Sequence, residues 1–157
     1  MKARRLTAQQ SVALLKVFCE RHGAERIQAA YGWRQPPETM KASEKCWAFH
    51  DDNDAIVGWG SIFLDTRDAD DDEAILVIGV FPASERQGWR VKILDWLVAR
   101  AKKLGADRAS MTVLKANEAH YARTIEDTKR EDSGWTYAGD IWFPAPGHGY
   151  FVYPLQP

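Results

Sequence analysis

The strongest constraint on the fold of this chain is a contiguous stretch from Glu73 to Leu104. An apolar run, Ala74 to Phe81, is interrupted only by Gly79 and stops at Pro82, which has no backbone donor with which to extend a strand. The polar turn Ala83-Ser84-Glu85-Arg86-Gln87-Gly88 follows, then an amphipathic helix over Trp89 to Leu104, closed by Gly105. Strand, tight turn and helix in this order make an anion-binding geometry. The first amides of a helix lack intrahelical partners and lie at the positive end of its dipole. Gly88 falls where a backbone would approach a ligand closely. The same pattern also describes a buried strand joined to a helix by an ordinary turn, so the stretch alone leaves both readings open.

The flanking segments say what surrounds this unit. Lys2 to Leu6 reads as a short edge strand. Thr7-Ala8-Gln9-Gln10 is a capping box with Thr7 as N-cap, opening a helix whose apolar side, Val12, Leu15, Val17 and Phe18, runs on to Gly23. A second helix is expected over Ala24 to Tyr31, ended by Gly32, and the paired Pro36-Pro37 makes residues 33–43 a loop. Strands over Lys45–His50 and Ala55–Leu64 flank the turn Asp51-Asp52-Asn53-Asp54. Gly58 and Gly60 in the second of them predict a bulge or a close backbone approach. An acidic loop carries Asp65, Asp68, Asp70, Asp71 and Asp72 against Arg67 alone. It lacks the glycine and the distant glutamate of a calcium loop, and no metal site is predicted. Three successive strands then form an antiparallel meander that feeds a crossover.

After Gly105, Arg108–Leu114 reads as a strand, parallel to the apolar run across a right-handed crossover. A polar, helix-compatible segment extends from Asn117 to about Asp132 and ends at Gly134-Trp135. Strands over Trp135–Phe143 and Gly149–Tyr153 flank Pro144-Ala145-Pro146-Gly147-His148. At 157 residues, without repeats or linkers, the chain is expected to be one domain over residues 1–157.

Charge and composition narrow the partners. The net charge of −1 provides no field that would draw nucleic acid or a membrane surface. No apolar stretch approaches the ~20 residues of a membrane span, and the basic Met1-Lys2-Ala3-Arg4-Arg5 leads into no apolar signal region. Cys19 and Cys46 form neither a metal pattern nor a disulfide framework; they read as buried thiols of a reducing compartment, hence a cytoplasmic location. Of seven tryptophans, Trp47, Trp59 and Trp96 fit core positions. Trp33, Trp135 and Trp142 flank loops, where they either anchor packing or line an acceptor pocket. No basic groove is interleaved with them, which argues against nucleic acid as a bound polymer.

Gly79-Val80-Phe81-Pro82, followed by Gly88 and Ile93-Leu94, resembles the coenzyme A segment of the GNAT superfamily of N-acyltransferases. That family's strand ends in Val-x-Pro, followed by a loop Arg/Gln-x-x-Gly-x-Gly/Ala and a helix with leucine pairs. Val80, Pro82, Gly88 and Leu94 match; Glu85 stands where Arg or Gln is usual, and Arg90 where a second Gly or Ala is usual. The element order β-α-α-β-β-β-α-β-α-β-β is similar to the family's over nearly the whole chain. The resemblance implies an α+β fold of GNAT type: one domain with a mixed, mostly antiparallel sheet flanked by helices. In that fold the central strand and the next one splay around coenzyme A.

For function, the resemblance implies transfer of an acetyl or other short acyl group from acyl-coenzyme A, with acetyl-coenzyme A as co-substrate. The acceptor would be an amine on a small molecule or a protein, and a homodimer stays open. It places the phosphates on the amides of Gln87, Gly88, Trp89, Arg90 and Val91. Arg86 adds charge there; the Arg90 side chain either adds charge or crowds the loop. The edge Ile78-Gly79-Val80 would hold the pantetheine arm, with the Val80 amide facing the thioester carbonyl and Asn117 assisting. Glu73 is the candidate general base, with Asp72 as its oppositely directed neighbour. Tyr121 is the candidate acid, although the family's spacing from Asn117 falls on Thr124, and His120 is the alternative base or acid. The departures at Glu85 and Arg90 keep a second function in view, a GNAT-like binding or regulatory module that does not transfer; a third reading is acyl transfer on nucleic acid or tRNA.

Overall fold

The computed structural model describes residues 1–33, 44–66, 71–142 and 147–155. Residues 34–43 of the expected 33–43 loop, the Arg67, Asp68 and Asp70 part of the acidic loop, the Phe143 end of the expected Trp135–Phe143 strand and the Pro144–Pro146 part of the connection after it lie outside the described residues. Among the described residues, seven strands form one sheet: β1 (Lys2–Arg5), β2 (Glu44–His50), β3 (Ile56–Asp65), β4 (Glu73–Val80), β5 (Arg108–Leu114), β6 (Thr136–Ile141) and β7 (His148–Pro154), in the order β1-β2-β3-β4-β5-β7-β6. Pairing is antiparallel except between β4 and β5. The helices are α1 (Ala8–His22), α2 (Ala24–Tyr31), α3 (Trp89–Lys103) and α4 (Glu118–Thr128). This is the α+β arrangement expected from the sequence, a mixed and mostly antiparallel sheet with helices against it.

Local chemistry explains the element ends. The capping box forms as read: the Thr7 hydroxyl accepts from the Gln10 amide, and the Gln10 side chain accepts from the Thr7 amide. Gly32 closes α2 in the left-handed region. α4 stops at Thr128, short of the expected Asp132. The Thr128 hydroxyl donates to the Ile125 carbonyl at 2.6 Å, and the chain leaves through tight turns at Lys129 and Arg130.

The alternation of β4 divides the core. Ala74, Leu76 and Ile78 pack with Ile93, Leu97 and Ala101 of α3. On the other face Val77 meets the cluster of Leu15, Phe18, Ile27, Trp59 and Phe81. Each of these large side chains contributes about 1.5–3 kcal/mol when fully buried. Gly58 and Gly60 exist for α3: a Cβ at Gly60 would lie 2.7 Å from Leu97 Cδ1, and one at Gly58 would lie 2.8 Å from Ile93 Cδ1. The glycines thus mark a close approach, and Gly58 also adjoins a bulge: Phe49 lies opposite Gly58 but His50 opposite Ile56, which leaves Val57 as the extra residue.

One feature of the sheet positions the site. β5 pairs with β4 only at Glu73↔Arg108, Ala74↔Ala109 and Ile75↔Ser110, whereas it follows β7 from Arg108↔Pro154 to Leu114↔His148. Beyond Ile75 the two central strands diverge. The Phe81 amide donates to the Val57 carbonyl at 2.9 Å, and Val80 lies opposite Gly58. In antiparallel pairing this turns the backbone groups of Ile78 and Val80 away from β3, into the gap.

Candidate active site

The gap opens into a cleft of about 710 Å³. One wall is α2 with Trp33, the floor is β4, the far wall is β5 with α4, and the amino end of α3 stands at one end. Asn117, His120 and Arg123 reach it from the α4 side, and Trp135 and His148 from the last two strands and their approaches. Trp142 is 65% exposed and packs over the Lys115 ammonium instead.

The loop before α3 is held by backbone conformation. Pro82–Ser84 forms one turn of 3-10 helix, Arg86 has φ +60°, and Gly88, the N-cap of α3, has φ +80°. A Cβ on Gly88 would touch nothing within 4 Å, so glycine is there for the backbone angle rather than for space. Gly88 has no side chain with which to cap α3. The first helical amides, Trp89, Arg90 and Val91, are therefore available to an anion at the cleft. Gln87 braces the loop: its amide donates to the Ala83 carbonyl at 3.2 Å and its side-chain oxygen accepts from Trp89 Nε1 at 3.4 Å.

The two departures from the family pattern take specific positions. Glu85 turns from the loop toward α1 and α2. Arg26 Nη2 donates to both of its carboxylate oxygens, at 2.8 and 3.0 Å, and His22 Nδ1 stands 3.8 Å from Oε1. Arg90 turns inward. Its guanidinium makes no hydrogen bond or ion pair among the described residues, and burial pushes its pKa down, opposed by Tyr31. The same charge is felt on both walls. Burial, then Arg90 and Arg123, pushes the His120 imidazole down to about 4. Burial raises the Tyr31 hydroxyl to about 12, with Arg90 pulling the other way.

The free edge of β4 carries two side chains that the sequence did not single out. Tyr31, the last residue of α2, donates its hydroxyl to the Ile78 carbonyl at 3.0 Å. His22, the last of α1, lies 2.8 Å from the Val80 carbonyl through Nε2, which must carry the proton because a carbonyl only accepts. Read along the chain, these residues and Arg26 are helix termini and a surface cation. The available signal was the acidic Glu85 in a loop expected to be basic, which requires a cation from elsewhere.

The other expected site residues divide. His120, Asn117, Ile78, Val80, Arg86, Gly88, Trp89, Arg90 and Val91 line the cleft. Glu73 lies at the paired end of β4, where its Oε1 accepts from the Tyr150 hydroxyl and faces Arg108 Nε at 3.4 Å; Arg108 also pairs with Asp71. Tyr121 packs its ring against Gly149 and donates its hydroxyl to Asp140 at 2.7 Å, outside the cleft lining. Asp140 also accepts from Tyr137 and pairs with Lys115 at 2.8 Å, and these three hydrogen bonds hold its carboxyl down at about 2.

Comparison with known proteins agrees with this geometry. The profile described as Acetyltransferase (GNAT) family matches residues 9–122, more than half of the chain. No curated protein matches. Among solved structures, a provisionally assigned phosphinothricin N-acetyltransferase aligns with a TM-score of 0.73 at 14% identity, covering 99% of each chain. The spermidine/spermine N-acetyltransferase SpeG of Vibrio cholerae aligns at 0.66 and 10% identity, over 98% of this chain and 92% of that one. The protein smu.2055 of Streptococcus mutans aligns at 0.70 and 10% identity, over 99% and 100%. At such identities the shared property is the fold.

Proposed function

Because the chain belongs to the GNAT acetyltransferase family, we propose that it moves an acetyl or other short acyl group from acyl-coenzyme A to an amine. The observation that carries this reading is the end of β4–β5 pairing at Ile75, next to the uncapped amino end of α3. Together they offer backbone donors for a diphosphate and a strand edge whose Ile78 and Val80 amides face the gap, where an amide-bearing arm can lie. In this reading the pyrophosphate sits on the amides of Gly88 to Val91, with charge from Arg86 and Arg90. The arm lies along Val80 and Ile78, and the β4 amides polarise the thioester carbonyl. The acceptor enters from the α1–α2 side. His120 reaches the cleft as a neutral imidazole at pH 7, so it orients groups there by hydrogen bonding more readily than it holds a proton. The buried thiols Cys19 and Cys46 are consistent with a reducing, cytoplasmic setting.

A second reading, a domain that binds coenzyme A without transfer, is favoured by one observation. Neither Glu73 nor Tyr121, the expected base and acid, lines the cleft: Glu73 is held by Tyr150 and Arg108, and Tyr121 by Asp140. Calorimetry with acetyl-coenzyme A, desulfo-coenzyme A and ATP tests the binding that both readings share. Binding of the first two, with ATP far weaker, is the expected result; no binding at millimolar concentrations overturns both. Turnover with a bound amine then decides between them.

A further inference from the structure

The cleft holds a hydroxyl that neither the loop motif nor the family match assigns. Tyr31 lies in the cleft lining with its oxygen 3.0 Å from the Ile78 carbonyl, and its ring is gripped by Phe18 edge-on at 5.8 Å and by Trp33 stacked at 4.7 Å. The other tyrosine near this reaction, Tyr121, spends its hydroxyl on Asp140 outside the cleft lining. If the phosphates rest at the amino end of α3, a ligand arm lying along β4 runs from Gly88 past Val80 toward Ile78. Its sulfur end then arrives on the Tyr31 side.

The geometry points to Tyr31 as the acid that protonates the departing coenzyme A thiolate, an inference that rests on the acyl-transfer reading above. As the amine nitrogen forms its bond to the acyl carbon, the carbon–sulfur bond breaks and its electron pair stays on sulfur. The Tyr31 hydroxyl exchanges the Ile78 carbonyl for the sulfur and gives up its proton. The tyrosinate regains a proton from the new ammonium, directly or through water, so the products are the amide and the free thiol. Three features suit Tyr31 to the task. The hydroxyl is fully protonated at neutral pH, being raised to about 12. The adjacent Arg90 guanidinium, without a carboxylate partner among the described residues, stabilises the tyrosinate for its brief life. The Ile78 carbonyl holds the hydroxyl at the strand edge between turnovers. His120 is less suited as a donor, because at about 4 its imidazolium is scarce at neutral pH.

The test uses the full chain with acetyl-coenzyme A and hydroxylamine, a small nucleophile that stands in for the amine, and follows release of free thiol. Tyr31→Phe keeps the ring contacts and removes the hydroxyl, with its proton and its hydrogen bond to Ile78. It should lower kcat by about 100-fold while leaving acetyl-coenzyme A affinity within about twofold. A wild type that does not accelerate the reaction over buffer overturns the acyl-transfer reading and this assignment together. An active wild type matched by Tyr31→Phe, or a variant that loses affinity instead of kcat, overturns this assignment alone. Site-specific 3-fluorotyrosine at position 31 covers a variant that folds poorly, since it keeps the hydroxyl and makes it more acidic. The alkaline limb of kcat should then move to lower pH, and an unmoved limb counts against Tyr31.

Discussion

Glu85 shows what a single position can and cannot say. In the sequence it is a carboxylate where a phosphate-gripping loop usually has a cation. In the fold its charge is met by Arg26, fifty-nine positions away, so it ties the loop to α2. That partner is invisible along the chain because a contact across the fold has no local pattern. Glu85→Gln is expected to loosen the loop and weaken acetyl-coenzyme A binding. The loss should reach at most about fivefold, since a half-exposed ion pair contributes about 0–1 kcal/mol. Titration calorimetry reads it, and tighter binding at low salt would mean that repulsion of the pyrophosphate outweighs ordering. Gly88 was legible in itself: at φ +80° with open space around it, Gly88→Ala should cost about 1 kcal/mol in urea unfolding, through the backbone alone.

His120 gives a second residue-scale prediction. Its folded pKa, about 4, lies below the usual 6.5 because of burial and the nearby Arg90 and Arg123. The unfolded chain therefore takes up a proton that the folded chain refuses. This contribution to stability is present above about 6.5 and is lost as pH falls toward 4. His120→Gln should flatten that part of the stability–pH curve. An anion bound beside Arg90 should also raise the imidazole, visible as an upward shift of its NMR titration with acetyl-coenzyme A.

At the scale of elements, helices and strands were readable because hydrophobic period, capping box and glycine stops agree with one another. The end of α4 was not, since a polar helix-compatible run continues past Thr128 and only the Thr128–Ile125 bond and the following turns end it. Tyr121 likewise sat on the expected helix, but the direction of its hydroxyl depends on Asp140 in β6, which sequence spacing cannot supply. The Asp140 cluster pins α4 to β6 and to Lys115 beyond β5. Tyr121→Phe should therefore lower the melting temperature. The Asp140 carboxyl, held at about 2, contributes stability that is complete above about 4 and is lost as pH falls toward 2. Asp140→Asn should make acid unfolding less steep there.

For the whole molecule, the organising event is the parting of β4 and β5 after three residue pairs. The sequence predicts a parallel pair across a crossover, but not where it ends. That end is set by β5 following β7 along its full length while β4 stays with β3. Neighbours at 10–14% identity share the overall fold, which shows how little of the fold depends on particular side chains. Side chains give the cleft its character: a loop carboxylate neutralised from α2, an arginine directed inward, and a tyrosine and a histidine on the β4 edge. The most direct test of the claim that this cleft is a coenzyme A site is backbone amide hydrogen exchange, resolved by residue, with and without acetyl-coenzyme A. The account predicts new protection at Ile78, Val80, Trp89, Arg90 and Val91, with β1 and β6 unchanged. Exchange at these five amides that does not respond to saturating acetyl-coenzyme A would contradict it.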